Sequence, residues 1–415
     1  MKTIWNNIQW LVTGQLISRT IKGVLIVVAA HTLSLSSFGS FNLAFGIAGT
    51  FMFLNDWGLD MLLVRECAKE DKKNESHITA LFAIKLVLLV LSGIIITMVG
   101  PLLTTDRLAK TLLPWVGFSV LLDGLRNFHL SFVRAQNKMH IDAINNIVVN
   151  SITVIIGVAG ILITHSIMTL IYAYAIGAST GLLLTYLDVR TYYMRLQQRI
   201  DPTSIMIIIQ EGIPLGLSII CLTILTYADT IIIGWKLNAA AVGLYAAPIK
   251  MIQLIYVGAG IIATSYLPLL SKHIAESYFT FKRTAQASLR TSFYAGSGIA
   301  LVSFVSAPIL IRTIFGASFV SSIPTFHLLL LSVPFVYLST ILGYLILVLH
   351  QQHKIIPFLL AGTIANLLLN VIFIGKLGIE GAAIANVLAQ SINMLGYIIV
   401  YRRYQPVHDH FTETI

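Results

Sequence analysis

Charge is scarce in this chain. Of its 415 residues only 11% are Asp, Glu, Lys or Arg, while 57% are hydrophobic and mean hydropathy is +0.85. Soluble domains carry roughly 25% charged residues, so an ordinary soluble protein is excluded and a polytopic membrane protein is implied. Cysteine is nearly absent. Cys67 and Cys221 lie far apart, and neither a disulfide nor a zinc site follows from them. Catalytic signatures are missing too. There is no Asp-x-Asp pair, no His-Glu-x-x-His and no Gly-x-x-x-x-Gly-Lys-Ser/Thr loop. These absences argue against a membrane enzyme and against a built-in ATPase. His129, His165 and His327 show no metal-ligand spacing and read as loop or packing residues. The opening MKTIWNNIQW lacks a short apolar core with a small-residue cleavage site, so the first apolar run is expected to be the first span.

What is present is a series of long apolar runs. A helical span needs roughly 17–25 mainly apolar residues. About twelve candidates follow: 9–31, 38–61, 78–100, 112–133, 144–164, 167–188, 205–233, 241–268, 291–314, 324–349, 355–375 and 378–401. The net charge of +10 does not indicate nucleic acid, because the basic residues mostly flank these runs. With the N-terminus inside, the inner segments hold Lys2, Arg65, Lys69, Lys72, Lys73, Arg134, Lys138, Arg190, Arg195, Arg199, Lys272, Lys282, Arg283, Arg290, Lys354, Arg402 and Arg403. The outer segments hold only Arg107, Lys110, Lys236, Arg312 and Lys376. Cytoplasmic loops are enriched in Lys and Arg, so both termini are expected in the cytoplasm.

A weak internal echo divides the chain. Leu33–Ala44 (LSLSSFGSFNLA) aligns with Leu237–Pro248 (LNAAAVGLYAAP) at an offset of 204, matching Gly39 to Gly243 and Phe41 to Tyr245. Arg134–His140 (RAQNKMH) echoes His350–Ile356 (HQQHKII). Six spans per repeat is an even number, so both halves enter from the same side and the repeats are parallel. The expected architecture is an all-α integral membrane protein, with two six-helix lobes (1–203 and 204–415) around a central cavity. The basic stretch near Arg190–Ser204 links them. Two-lobed bundles of this kind bind cargo between lobes and expose it alternately to each side.

At this level the sequence resembles a known family. SLSSFGSFNLAFGIAGTFMFLNDWGLDMLLVRECAKED contains Phe38-Gly39, Asp56-Trp57-Gly58-Leu59 and Arg65. TYADTIIIGWKLNAAAVGLYAAPIK contains Asp229 and a Val-Gly-x-Tyr turn. Together they are similar to the polysaccharide-type flippases, O-antigen branch, of the multidrug/oligosaccharidyl-lipid/polysaccharide exporter superfamily. The resemblance implies movement of undecaprenyl-pyrophosphate-linked sugar repeat units across a bacterial inner membrane. A polysaccharide polymerase and chain-length proteins are the expected neighbours and no cofactor is expected; coupling to H+, Na+ or the membrane potential is left open. The resemblance gives weight to Arg19, Lys22 and Lys250 as cavity cations.

The chemistry of those residues fits. An intramembrane charge is costly and usually faces a polar interior. Arg19 and Lys22 are three apart, on one helix face with Gln15 and Ser18, while Ile17, Leu25 and Val28 take the other. Arg grips phosphate oxygens through a planar fork and Lys acts as a point charge. Lys85 and Arg126 are further candidate cations, and Asp229 and Asp123 are the candidate coupling or cavity acids. Tyr227, Tyr245 and Tyr256 are candidates to stack on sugars. Competing readings stand beside each. Arg19 and Lys22 pair with Asp56, Asp123 or Asp229; Lys85 snorkels to the interface; Arg126 pairs with Asp123 three residues away. Glu211 is a solvated helix-end acid, and Asp56 and Asp60 order a loop with Arg65. Asn145, Asn146, Asn150, Asn366 and Asn370 are expected to bond between helices, and Gly157, Gly160, Gly258 and Gly260 to permit close packing. The rival functions are an ion-coupled drug exporter of the same superfamily and a membrane enzyme of polysaccharide assembly; a repeat-unit polymerase would be expected to carry a large outer loop, and no loop here is that long.

Overall fold

The computed structural model describes residues 2–67, 74–193 and 202–404. These are helical almost throughout, with no strand among the described residues. Hydrocarbon offers no hydrogen-bond partners, so a spanning backbone must satisfy itself, and the helix does so within one segment. The helices are α1 (Lys2–Thr32), α2 (Leu35–Thr50), α3 (Met52–Asp56), α4 (Leu59–Cys67), α5 (Asn74–Met98), α6 (Arg107–Ala135), α7 (Met139–Thr164), α8 (Ile167–Tyr193), α9 (Pro202–Lys236), α10 (Ala239–Glu276), α11 (Tyr278–Ile314), α12 (Ile323–Leu330), α13 (Val333–Val348), α14 (Ile356–Leu377) and α15 (Ile379–Arg403). Eleven are long and apolar enough to cross a membrane counting Leu35–Cys67 as one, and the bent pair Ala317–Leu330 and Val333–Val348 makes a twelfth. The expected number of spans is thus met. The basic residues of 194–201, within the expected linker, lie outside the described residues.

Burial is inverted relative to a soluble protein. Helix α5 exposes Val87, Val90, Leu91 and Ile94, and buries Lys85 and Ser92. Helix α11 exposes Leu301, Val302, Val305 and Ile309, and buries Ser288 and Ser292. Helix α14 exposes Ile364, Leu368 and Ile372, and buries Thr363, Asn366 and Asn370. A solvent of acyl chains explains this pattern, since lipid tails are as apolar as leucine and only polar or small groups gain from facing inward.

The chain forms two compact units, Met1–Gly243 and Leu244–Ile415. In the first, α1 packs along α7, and α6, α7 and α8 pack on one another. Small residues permit the approach. Gly14 lies against Ala143, and Gly157 against Leu25 and Ala173. Ser34 caps α2, its hydroxyl accepting the Ser37 N–H at 3.1 Å. Gly39 and Gly243, the positions matched by the internal echo, touch each other backbone to backbone: a Cβ on Gly39 would strike the Ala239 carbonyl and the Gly243 nitrogen.

The second span is interrupted at the polar stretch Asn55-Asp56-Trp57-Gly58. Trp57 has φ +43° and Gly58 φ +79°. Asp56 accepts the Asp60 N–H at 3.1 Å and so caps the first turn of α4. The Asp56-Trp57-Gly58-Leu59 signature is therefore a helix break with its own cap. Gly58 is required twice, for its left-handed backbone and because Leu215 of α9 occupies the place of a side chain. The Trp57 indole lies on a smooth patch of α9 made by Gly212 and Gly216.

The second unit is organised around Tyr337 of α13, only 1% exposed. Its hydroxyl donates to the Ile255 carbonyl at 2.9 Å, and its ring fills the space left by Gly258 and Gly296. Helices α14 and α15 pair tightly, Gly362 against Asn393 and Gly396 against Phe358.

Candidate functional site

Helix α1 turns its small residues to α7, and this decides where its cations go. Gly14, Ser18, Leu25 and Ala29 are buried. Arg19 is exposed and Lys22 half-buried at the edge of that face. The single stripe expected of Gln15, Ser18, Arg19 and Lys22 is corrected here. Ser18 is buried with Leu25, on the side where Gly14 meets Ala143 and Leu25 meets Gly157 of α7.

Lys22 sits in an aromatic corner. Its ammonium stands 5.1 Å from the centroid of the Tyr174 ring on α8. Tyr174 belongs to a cluster with Phe45 at 4.9 Å and Phe41 at 5.8 Å, both from α2. The Tyr227 hydroxyl on α9 lies within Coulombic reach of Lys22, and the Tyr227 ring packs on Gly49 of α2. The Tyr174 face thus holds the ammonium, and the rings of α2 hold Tyr174 in turn. A cation over a ring is stabilised by up to about 2 kcal/mol when desolvated, while its three N–H donors remain able to meet an anion. Among the described residues neither Arg19 nor Lys22 forms an ion pair with Asp56, Asp123, Asp229 or any other acid.

The other two first-unit cations are committed elsewhere. Lys85, 1% exposed, bonds Asp60 at 3.0 Å and lies 5.2 Å from the Phe128 ring centroid. It is held in the interior instead of snorkelling. Arg126 donates from Nε to Asp123 at 3.0 Å, and from one terminal nitrogen to Asn145 at 2.8 Å and Asn146 at 3.0 Å. Asn145 in turn donates to the Gly181 carbonyl at 3.1 Å. Asn146 donates to Asp142 at 2.6 Å, and Asp142 accepts from Arg134 at 2.7 Å. This ladder ties α6, α7 and α8 together.

Residues 4–274 match the family described as polysaccharide biosynthesis protein. The chain belongs to that family. The matched region contains Arg19, Lys22, Lys85, Asp123, Arg126, Asp229 and Lys250. No curated protein sequence matches the chain. Among solved structures, it superposes on the lipid II flippase MurJ in an inward closed conformation with TM-score 0.76 and 16% identity, covering 94% of this chain and 87% of that one. An inward-facing multidrug resistance MATE transporter of the MOP superfamily gives TM-score 0.71 and 13% identity, with 93% and 94% covered. The MATE transporter VcmN of Vibrio cholerae gives TM-score 0.68 and 14% identity, with 97% and 96% covered. This polysaccharide biosynthesis protein therefore has the fold shared by MurJ and MATE proteins and is a multi-pass membrane protein.

The remaining expected residues of this family member are placed as follows. Asp229, 2% exposed, lies on α9 in the first unit. Lys250 is half-buried on α10, two residues after the helix-internal Pro248, in the second unit. Tyr245 is fully buried, and Tyr256 shares a 2.6 Å hydrogen bond with Ser332. Glu211 is bound to Arg65, which also donates to Glu66 at 3.0 Å. The Lys22 seat on Tyr174 was missed from sequence, although Phe41, Phe45 and Tyr174 fall inside spans where an aromatic beside a cation is a usable signal.

Proposed function

We propose that this protein moves an anionic, lipid-linked oligosaccharide across the bilayer, of the undecaprenyl-pyrophosphate repeat-unit type that supplies O-antigen. Transfer runs from the cytoplasmic to the outer leaflet of a bacterial inner membrane, with both termini cytoplasmic. Membership of a polysaccharide biosynthesis family and the MurJ and MATE fold support transport as the activity. The observation that carries the choice of cargo is the pair Arg19 and Lys22, lodged in a spanning helix and in no ion pair among the described residues. A charge at such depth costs several kcal/mol and calls for a counter-charge that arrives with the cargo. A pyrophosphate diester brings two negative charges, and the rings of Tyr174, Phe45 and Tyr227 beside Lys22 offer faces to sugars. The proposal assigns Lys250 the same anion-binding role. Asp229 and the partly exposed Asp123 are its candidate acids for ion coupling. A polymerase and chain-length proteins are the natural downstream partners.

The MATE likeness supports one alternative, an exporter of small drugs, whose cargo is often cationic. Arg19 and Lys22 would repel such cargo. Deleting the gene separates the two. Lipid-linked repeat units accumulating in the inner leaflet, restored by the wild type but not by R19A/K22A, support the flippase. Unchanged surface polymer with altered drug tolerance overturns it.

A further inference from the structure

The second unit carries buried polar groups that the proposed transport does not use. Helices α14 and α15 run antiparallel from the turn at Gly378, and three close contacts fix their register. A Cβ on Gly381 would strike the Phe373 carbonyl, one on Gly362 the Asn393 carboxamide, and one on Gly396 the Phe358 ring. The seam is thus closed by glycine contacts towards both ends. Asn366 lies halfway along the 22 residues of α14, on the buried stripe it shares with Gly362 and Asn370. In this register it is level with Ala389, which is 1% exposed. Asn366 is 0% exposed and Asn393 4%. Neither the nitrogen nor the oxygen of the Asn366 carboxamide has a hydrogen-bond partner among the described residues, and the Asn393 carboxamide oxygen has none either. Asn370 differs, for its amide nitrogen donates to the Asn366 backbone carbonyl at 2.9 Å. The interhelical bond expected of Asn366 is therefore not made directly.

We propose that the α14–α15 seam is a water-binding site, in which bound water bridges the carboxamides of Asn366 and Asn393. The inference is independent of the cargo. A carboxamide is costly to bury without partners, and hydrocarbon supplies none. The identity of the ligand follows from what the groups lack. The Asn366 amide nitrogen needs an acceptor, while the Asn366 and Asn393 oxygens need donors. A bare cation would satisfy the oxygens and repel the N–H groups. An anion would do the reverse. Water donates and accepts at once, and it is small enough for a seam that glycines hold close. A buried water makes about three hydrogen bonds, and three orphaned atoms are present on these two residues. Asn393 stands level with Gly362, one turn or about 6 Å along α14 from Asn366. Two hydrogen bonds of about 2.8 Å through one water span such a gap. The polar tie between these two helices is then made through the solvent molecule they enclose.

The test uses the isotopically labelled full chain in phosphatidylethanolamine/phosphatidylglycerol bilayers, with water itself as the probe. Solid-state NMR follows magnetisation from water to the sequentially assigned side-chain amides. Wild type is expected to show transfer to the Asn366 amide. N393L removes the second anchor but keeps Asn366, and is expected to weaken that transfer. Thermal unfolding gives a second reading whose sign decides. With bound water, N366L strands the Asn393 oxygen and lowers the unfolding temperature. In a dry seam the same change removes an orphaned amide and raises it. Absence of transfer to Asn366 in wild type, or a rise in unfolding temperature in N366L, overturns the proposal. So does a wild-type unfolding temperature that climbs when choline is replaced by sodium or potassium, with the effect lost in N366L, because the seam then holds a cation. Where either variant folds poorly, the wild-type spectrum alone decides.

Discussion

At the scale of single residues, the outcome turns on which cations are spoken for. Arg126 was legible as a paired residue because its acid stands three positions away in the same helix. Lys85 was not, because Asp60 lies on another helix and nothing in local spacing connects them. Glu211 was read as a solvated helix-end acid, and only the approach of α4 to α9 reveals its partner Arg65. Arg126→Met is expected to leave Asn145 and Asn146 without their donor and to lower the thermal unfolding temperature in detergent. Arg126→Lys, one point charge in place of a fork, recovers only part of the loss. Gly58→Ala meets both a φ of +79° and the Leu215 side chain. It is expected to destabilise the fold by about 1–3 kcal/mol, read as reduced thermal stability with the helical content of the survivors unchanged.

At the scale of elements, the spans were readable as apolar runs because lipid demands them over a fixed length. The breaks inside them were not. The run of the second span carries Asn55 and Asp56 before Trp57, and its interruption is set by backbone dihedrals and by the fit of the indole onto Gly212 and Gly216. The 42° bend between α12 and α13 falls at Ser332 and Pro334, the proline standing in the first turn of α13. Trp57→Ala is expected to cost about 3–5 kcal/mol and to free α4 from α9. Faster hydrogen exchange confined to α4 and the facing turns of α9 is the measurement. In the second unit, Gly296→Leu would displace the Tyr337 ring. Overpacking of this kind costs about 1–3 kcal/mol and is expected to appear as a lower unfolding temperature. Of the glycines read as packing devices, Gly157 and Gly258 serve that purpose, whereas Gly260 meets nothing within 4 Å.

At the scale of the whole molecule, an excess of apolar surface and a lack of charge were enough to fix the class. The family followed from motif order, and the proposed cargo chemistry rests on Arg19 and Lys22, which form no ion pair among the described residues. Electrical driving is the consequence to measure. Carrying two negative charges out of an interior at −100 mV is worth about 4.6 kcal/mol if the protein's cations stay behind. Outward translocation in vesicles is expected to rise with an inside-negative potential, and a rate indifferent to the potential would show that the cations travel with the cargo. One last feature ties together two glycines far apart in the chain. Gly39 and Gly243 hold matching positions and rest on each other. A methyl group gained by either has nowhere to go, and the other has none to surrender in exchange. A side chain at either position would require the facing backbone to move away.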